Sequence, residues 1–263
     1  MEENIITSVQ NARIKHVVAL QQKSSLRREE GLFVVEGQRE LEHCIACGYE
    51  IVEVFTVDGL QLTGDSLQLT VVTPQVYEKM AYRGSTEGII AVAKCKDHSI
   101  SSVNRKLSTV NNPLVIVLES VEKPGNLGAI LRTAEAAHVD AVIVCDPLTD
   151  LYNPNVIRAS IGGIFNVPTV ACTSQACIDF LKRNKIRILT AQLQDSYDYY
   201  DYDMSCATAI VMGTESTGLT DIWREAADAH IRIPMLGRLD SLNVSVSAAI
   251  LMYEAVRQRK VKK

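Results

Sequence analysis

The residues able to do chemistry are concentrated in three short segments of the C-terminal half. The first, Asn126-Leu127-Gly128-Ala129-Ile130-Leu131-Arg132-Thr133-Ala134, places an amide one helical stretch before a guanidinium. The second, Val211-Met212-Gly213-Thr214-Glu215-Ser216-Thr217-Gly218-Leu219, sets a carboxylate between two glycines. The third is Ile233-Pro234-Met235 followed by Ser241-Leu242-Asn243-Val244-Ser245. Each falls where an expected strand gives way to a loop or helix, which is where α/β proteins bind ligands.

Residue type alone leaves several readings open. Gly125 and Gly128 open a helix after a strand, and Asp146 ends the next strand, as in a dinucleotide site. Two glycines three apart are not G-x-G-x-x-G, however, and Asn126 stands between them. Arg132 reads equally as an exposed helix residue, Glu215 as a carboxylate at a helix N-terminus, and Ser241 or Asn243 as an N-cap. No histidine, cysteine or carboxylate cluster has metal-ligand spacing, so no metal is expected. Cys44-x-x-Cys47 lies in a helical stretch without a second pair and reads as buried helix residues rather than as a zinc or redox pair.

In order and content the three segments resemble the motifs of the SpoU (TrmH-type) RNA ribose methyltransferases, within the SPOUT class. Asn126, Gly128, Arg132 and Ala134 match that family's N-x-G-x-x-x-R-x-A. The resemblance implies transfer of a methyl group from S-adenosylmethionine to a ribose 2′-hydroxyl in structured RNA, more readily ribosomal than transfer RNA. It implies that Arg132 faces the reacting ribose, where a permanent cation stabilises charge on the attacking oxygen. Asn126, Glu215, Ser241 and Asn243 become the other active-site residues. Met212, Gly213, Gly218, Ile233, Met235 and Leu242 become cofactor contacts, with Ile233, Met235 and Leu242 as an apolar wall for adenine. Ser216 replaces a glycine of the family's second motif. Asn155 to Gly163 loosely resembles a further family stretch, in which Arg158 and Ser160 either face substrate or pack a helix. Glu36-Gly37-Gln38-Arg39 and Thr86-Glu87-Gly88 resemble turns of the family's N-terminal RNA-binding domain, with Arg39 as an RNA contact. The family's C-terminal domain is a trefoil knot, which periodicity alone would never suggest. It works as a homodimer in which the arginine approaches the partner's cofactor.

The elements that would hold these residues follow from apolar patterning. Leu114-Val115-Ile116-Val117-Leu118 is a continuous apolar run, as in a parallel strand buried on both faces. An alanine-rich helix (127–138) and the strand Ala141-Val142-Ile143-Val144 complete a βαβ unit. Further strands are expected at 186–190, 208–212 and 230–233, and a last helix at 244–259. Upstream, a helix at 11–22, strands at 32–35, 51–57 and 89–93, and a helix at 39–47 ending at Gly48 give a second α/β layer. Residues 99–112 turn polar and lose periodicity, so they read as a linker. The expected organisation is an α/β protein: an N-terminal, ribosomal-protein L30e-like RNA-binding domain over 1–98, a linker over 99–112, and a SPOUT α/β-knot methyltransferase domain over 113–263. Asp195 to Asp203 alternates acids with Tyr197, Tyr199, Tyr200 and Tyr202 and reads as a loop of half-buried tyrosines or a base-stacking surface.

A chain of 263 residues with a net charge of −4 has length for a large core and no global attraction to nucleic acid. RNA binding would then need local patches. From Arg13 to Arg28 there are bases and no acid, with Arg13, Arg27 and Arg28 as candidate RNA contacts, and Arg257, Arg259, Lys260, Lys262 and Lys263 crowd the tail. The start lacks the order of a signal peptide, no apolar run reaches a membrane span, and seven scattered cysteines suit a reducing compartment. A cytoplasmic protein is expected. Two rivals remain: a non-catalytic RNA-binding protein that keeps the fold, and a nucleotide-dependent oxidoreductase.

Overall fold

The computed structural model describes residues 5–57, 69–82, 88–214 and 217–261. They cluster into two compact units, one of residues 1–96 with 150–165, the other of residues 97–149 with 166–263.

In the first unit, α1 (Ala12–Gln22) is capped by the Asn11 side chain, which accepts from the Arg13 N–H. Ile14, Val17 and Leu20 recur at helical spacing and are fully buried. The elements that follow are α2 (Ser24–Glu30), β1 (Leu32–Glu36), α3 (Gln38–Ala46), β2 (Ile51–Thr56), β3 (Leu69–Val71), α4 (Pro74–Met80) and β4 (Ile89–Lys94). Gly48, in the left-handed region at φ 70°, stops α3 as the sequence indicates. The strands form one sheet in the order β1-β4-β2-β3, with β4 antiparallel to both neighbours. Phe55, Val76, Met80 and Ile90 pack with α1 to make its core.

The second unit opens with α5 (Ile100–Leu107), inside the stretch expected to be a linker. Val103 and Leu107 are buried in this unit's core. The sequence hides the helix because its apolar stripe is only Ile100, Val103 and Leu107 among polar neighbours. Next come β5 (Leu114–Glu119), α6 (Pro124–Ala136) and β6 (Ala141–Cys145). Residues 150–165 then leave for the first unit, carrying α7 (Pro154–Ser160) and the start of α8 (Gly163–Asn166). There Tyr152 stacks on Phe33 with centroids 4.2 Å apart, and Phe165 lies 5.1 Å from the Tyr49 ring.

The chain continues through β7 (Thr169–Cys172), α9 (Ser174–Arg183), β8 (Arg187–Ala191), β9 (Tyr197–Asp198), β10 (Thr208–Met212), α10 (Asp221–Ala226), β11 (Ala229–Arg232) and α11 (Val244–Val261). All pairings in its sheet are parallel, in the order β7-β6-β5-β10-β8-β11-β9. From β5 the chain winds outward through β6 to β7, and from β10 it winds the other way to β11. The crevice between β5 and β10 is therefore where the winding reverses, the position at which open parallel sheets bind ligands. One face of the sheet is covered by α5, α9 and α10 around the fully buried Trp223, while α11 packs along α6. The acid–tyrosine stretch is mixed: Tyr197 and Tyr200 are exposed, and Tyr199 and Tyr202 are half-buried.

Candidate active site

The β5–α6 loop carries the first motif. Pro124 opens α6, and Leu127, Ile130, Leu131 and Ala134 are buried beneath it. That burial fixes the helix rotation, so Asn126 is half-exposed at its start and Arg132 points to solvent. The N-cap of α11 is Asn243: its carbonyl accepts from Val246 and Ser247, and its Oδ1 accepts from the Ser245 N–H at 2.9 Å. The same side chain donates from Nδ2 to Asn126 Oδ1 at 3.2 Å. The capping reading and the active-site reading of Asn243 are thus compatible: one amide starts the last helix and bridges to the first motif, 117 positions upstream.

Gly213 follows β10, and the loop beyond it turns back on itself. The Thr214 N–H donates to the Gly218 carbonyl at 3.3 Å and the Gly218 N–H to the Thr214 carbonyl at 3.1 Å. Gly218 takes φ 70°, which favours glycine. A Cβ on Gly213 would overlap the Gly218 carbonyl and the Leu219 nitrogen. The glycine is needed here for the loop's own closure. Glu215 and Ser216 lie outside the described residues. At the far end, the buried carboxylate of Glu119, the last residue of β5, accepts from the Thr220 N–H at 2.9 Å.

Two hollows open along the carboxyl ends of these strands. One, of about 110 Å³, lies in the β5/β10 crevice between Lys123, Asn126, Gly213, Thr214 and Val244. The other, of about 150 Å³, is walled by Ile231, Ile233, Met235, Leu242 and Leu251, with Gln192, Asp240 and Ser241 among its polar members. Ile233, Met235, Leu242 and Ser241 are therefore brought together, and so are Asn126 and Gly213. Met212 is 3% exposed and lines neither hollow, so its side chain belongs to the core. Sequence reading missed Gln192 and Leu193, which follow β8 directly. Their signal was position: the carboxyl end of a parallel strand beside β11.

The second hollow fits an adenosyl group. Its walls are apolar enough for a flat neutral ring, and Gln192 Oε1 is buried with no hydrogen-bond partner. A buried acceptor left so costs free energy unless a ligand donor meets it.

The basic residues of the first unit separate by burial. Arg28 and Arg39 are exposed. Arg13 is also exposed, but it pairs with Glu53, donates to Thr70 Oγ1 at 2.6 Å and lies over the Phe55 ring. Arg27 is not available to RNA: it is 3% exposed, its Nε donates to Asp150 at 2.5 Å, and its Nη1 donates to the Leu20 and Gln21 carbonyls. Ser160 is buried and bonds the Ile157 carbonyl, whereas Arg158 is exposed. In the tail, Arg259 is not a solvated charge: it donates to the Met204 and Cys206 carbonyls and ties α11 to the segment that leads into β10. Thr86 and Glu87, and Lys262 and Lys263, lie outside the described residues, and Gly88 has φ 76°. No helix among the described residues is long and apolar enough to cross a membrane.

Residues 113–253 match the model of the SpoU rRNA Methylase family, and residues 11–91 match an MRM3-like substrate binding domain. The chain is 26% identical to the 23S rRNA (guanosine(2553)-2′-O)-methyltransferase RlmP of Bacillus subtilis, over 94% of this chain and 97% of that protein. A crystal structure of an RNA 2′-O ribose methyltransferase, 35% identical, superposes with a TM-score of 0.83 over 97% of this chain and 99% of its own. The AdoMet-bound rRNA methyltransferase from Sinorhizobium meliloti, 25% identical, superposes with a TM-score of 0.86 over 96% and 97%.

Proposed function

The chain belongs to the SpoU rRNA methylase family, and on that footing we propose that it methylates a ribose 2′-hydroxyl of ribosomal RNA with S-adenosylmethionine as donor. The observation that carries this reading is the Asn126–Asn243 hydrogen bond. It joins the first and third motifs at the β5/β10 crevice, while Ile233, Met235, Ser241 and Leu242 of the third motif wall the second hollow.

When bound, S-adenosylmethionine supplies a methyl group already activated on a sulfonium. What remains for the protein is alignment and charge. Ile233, Met235 and Leu242 hold the adenosyl moiety against α11 and exclude water. Gln192 Oε1 meets a donor on it. Gly213 and Gly218 shape the loop that approaches it. Arg132 holds a fixed positive charge beside the 2′-oxygen, where negative charge grows during attack. Glu215 serves as the active-site carboxylate. Asn126, Asn243 and Ser241 orient the sugar and the loop around it. RNA is gripped by the first unit, with Arg28 and Arg39 contacting phosphates. The matched substrate binding domain supports this assignment.

The protein acts as a homodimer through its C-terminal unit, with Arg132 approaching the partner's cofactor. Exposed Val246 and Tyr253 on α11 give that surface apolar area. The family's trefoil threading after β11, and a cytoplasmic location among its RNA substrates, belong to the same reading.

The test is to map 2′-O-methylated riboses in cells with and without the gene, then to treat the deficient RNA with purified protein and S-adenosylmethionine. One ribosomal RNA ribose should lose its methyl and regain it, and the Arg132→Ala protein should not restore it. Restoration confined to transfer RNA would overturn the substrate assignment. Absence of calorimetric heat with S-adenosylmethionine would overturn the donor.

A further inference from the structure

Cysteines distant in sequence meet at the carboxyl edge of the second unit's sheet, away from both hollows. Cys145 ends β6 and Cys172 ends β7, and the two are register partners on adjacent parallel strands. Cys177 lies in α9, whose N-cap Thr173 directly follows Cys172. The three sulfurs all lie within 4.8 Å of one another. Cys145 and Cys177 are fully buried, and Cys172 is partly exposed.

That 4.8 Å limit admits a known coordination geometry. Zinc–sulfur bonds of about 2.3 Å at tetrahedral angles put sulfurs roughly 3.8 Å apart.

We propose that Cys145, Cys172 and Cys177 form a three-thiolate site for a zinc-type divalent cation. Water enters at the partly exposed Cys172 edge to fill the fourth position. Binding replaces the thiol protons, which leave to solvent, and gives a complex of one net negative charge. The ion ties the ends of β6 and β7 to the start of α9. It sits beside Ser174, whose hydroxyl donates to Asp146 at 2.7 Å and accepts from Trp223 Nε1 at 3.0 Å.

The test uses full-length protein, chelator-stripped and kept reduced under nitrogen, with cadmium as the zinc analogue. Titration should give one equivalent of ultraviolet sulfur-to-cadmium absorbance, and zinc should displace it. Cys172→Ser should weaken binding by about tenfold or more, and Cys172→Ala should do the same if the serine variant folds poorly. Cys206→Ser and the double variant Cys44→Ser with Cys47→Ser should leave binding unchanged. Absorbance that survives Cys172→Ser, or that disappears with the Cys44 and Cys47 substitutions, overturns the site. So does a disulfide among the three cysteines with no cadmium uptake by the reduced protein.

Discussion

Glu119 holds Thr220 by two hydrogen bonds, its Oε2 accepting from the backbone N–H at 2.9 Å and its Oε1 from the hydroxyl at 2.5 Å. Thr220 N-caps α10 and closes the loop that begins at Gly213. A carboxylate at the end of β5 therefore fixes the far side of the glycine loop. Glu119→Ala removes the acceptor of both Thr220 donors and should cost about 0.5–1.5 kcal/mol of stability in urea unfolding. It should also weaken S-adenosylmethionine binding in calorimetry more than Glu119→Gln does, because glutamine keeps one acceptor. An alanine variant with unchanged cofactor affinity would separate the loop from this anchor.

Gly213→Ala tests the closure of that loop. Any side chain there meets the Gly218 carbonyl, so the Thr214–Gly218 pairing must open. The protein should remain folded by circular dichroism while S-adenosylmethionine binding falls at least about tenfold, in line with a strained backbone cost of order 1–3 kcal/mol. Normal affinity would mean the loop can be rebuilt without its pairing.

Arg132→Ala should lower methyl transfer by about 10²–10³ or more, the scale for losing one preorganised charge at a developing oxyanion. Cofactor affinity should stay within a few-fold, since the side chain points to solvent from α6. Single-turnover rates and calorimetry on the same preparation separate the two. Equal loss of both would refute the assigned role.

Arg27 and Arg28 are neighbours with opposite expected behaviour. Arg27→Ala leaves the 13%-exposed Asp150 without its partner and should destabilise the first unit by about 3–5 kcal/mol. Arg28→Ala together with Arg39→Ala should leave the urea midpoint unchanged and weaken RNA binding, with a shallower salt dependence. Filter binding at several salt concentrations distinguishes the two outcomes.

The strands of the second unit were legible because burial on both faces writes a continuous apolar run, as in Leu114 to Leu118. The motif residues were legible because they sit at the ends of those runs. Helix α5 escaped because Ile100, Val103 and Leu107 are the whole of its apolar stripe. Arg27 was misread because nothing local distinguishes it from Arg28. Its burial depends on Asp150, 123 positions away, in a segment that packs with the first unit although it lies among the motifs of the second. The cysteine cluster has the same origin: strand register brings Cys145 opposite Cys172, and no scan for short ligand spacings can see register. The tight packing of Gly213 against Gly218 was not legible, because it depends on how the loop folds back on itself.

Strand β10 enters the sheet between β5 and β8, both of which precede it in the chain. During synthesis the crevice beside β5 lacks its second wall until residue 212 has emerged, and Asn126 lacks its bridging amide until Asn243 follows. A growing or truncated polypeptide can thus carry every arginine of the first unit and still possess no place to bind a methyl donor. Competence for the reaction arrives only with the final helix.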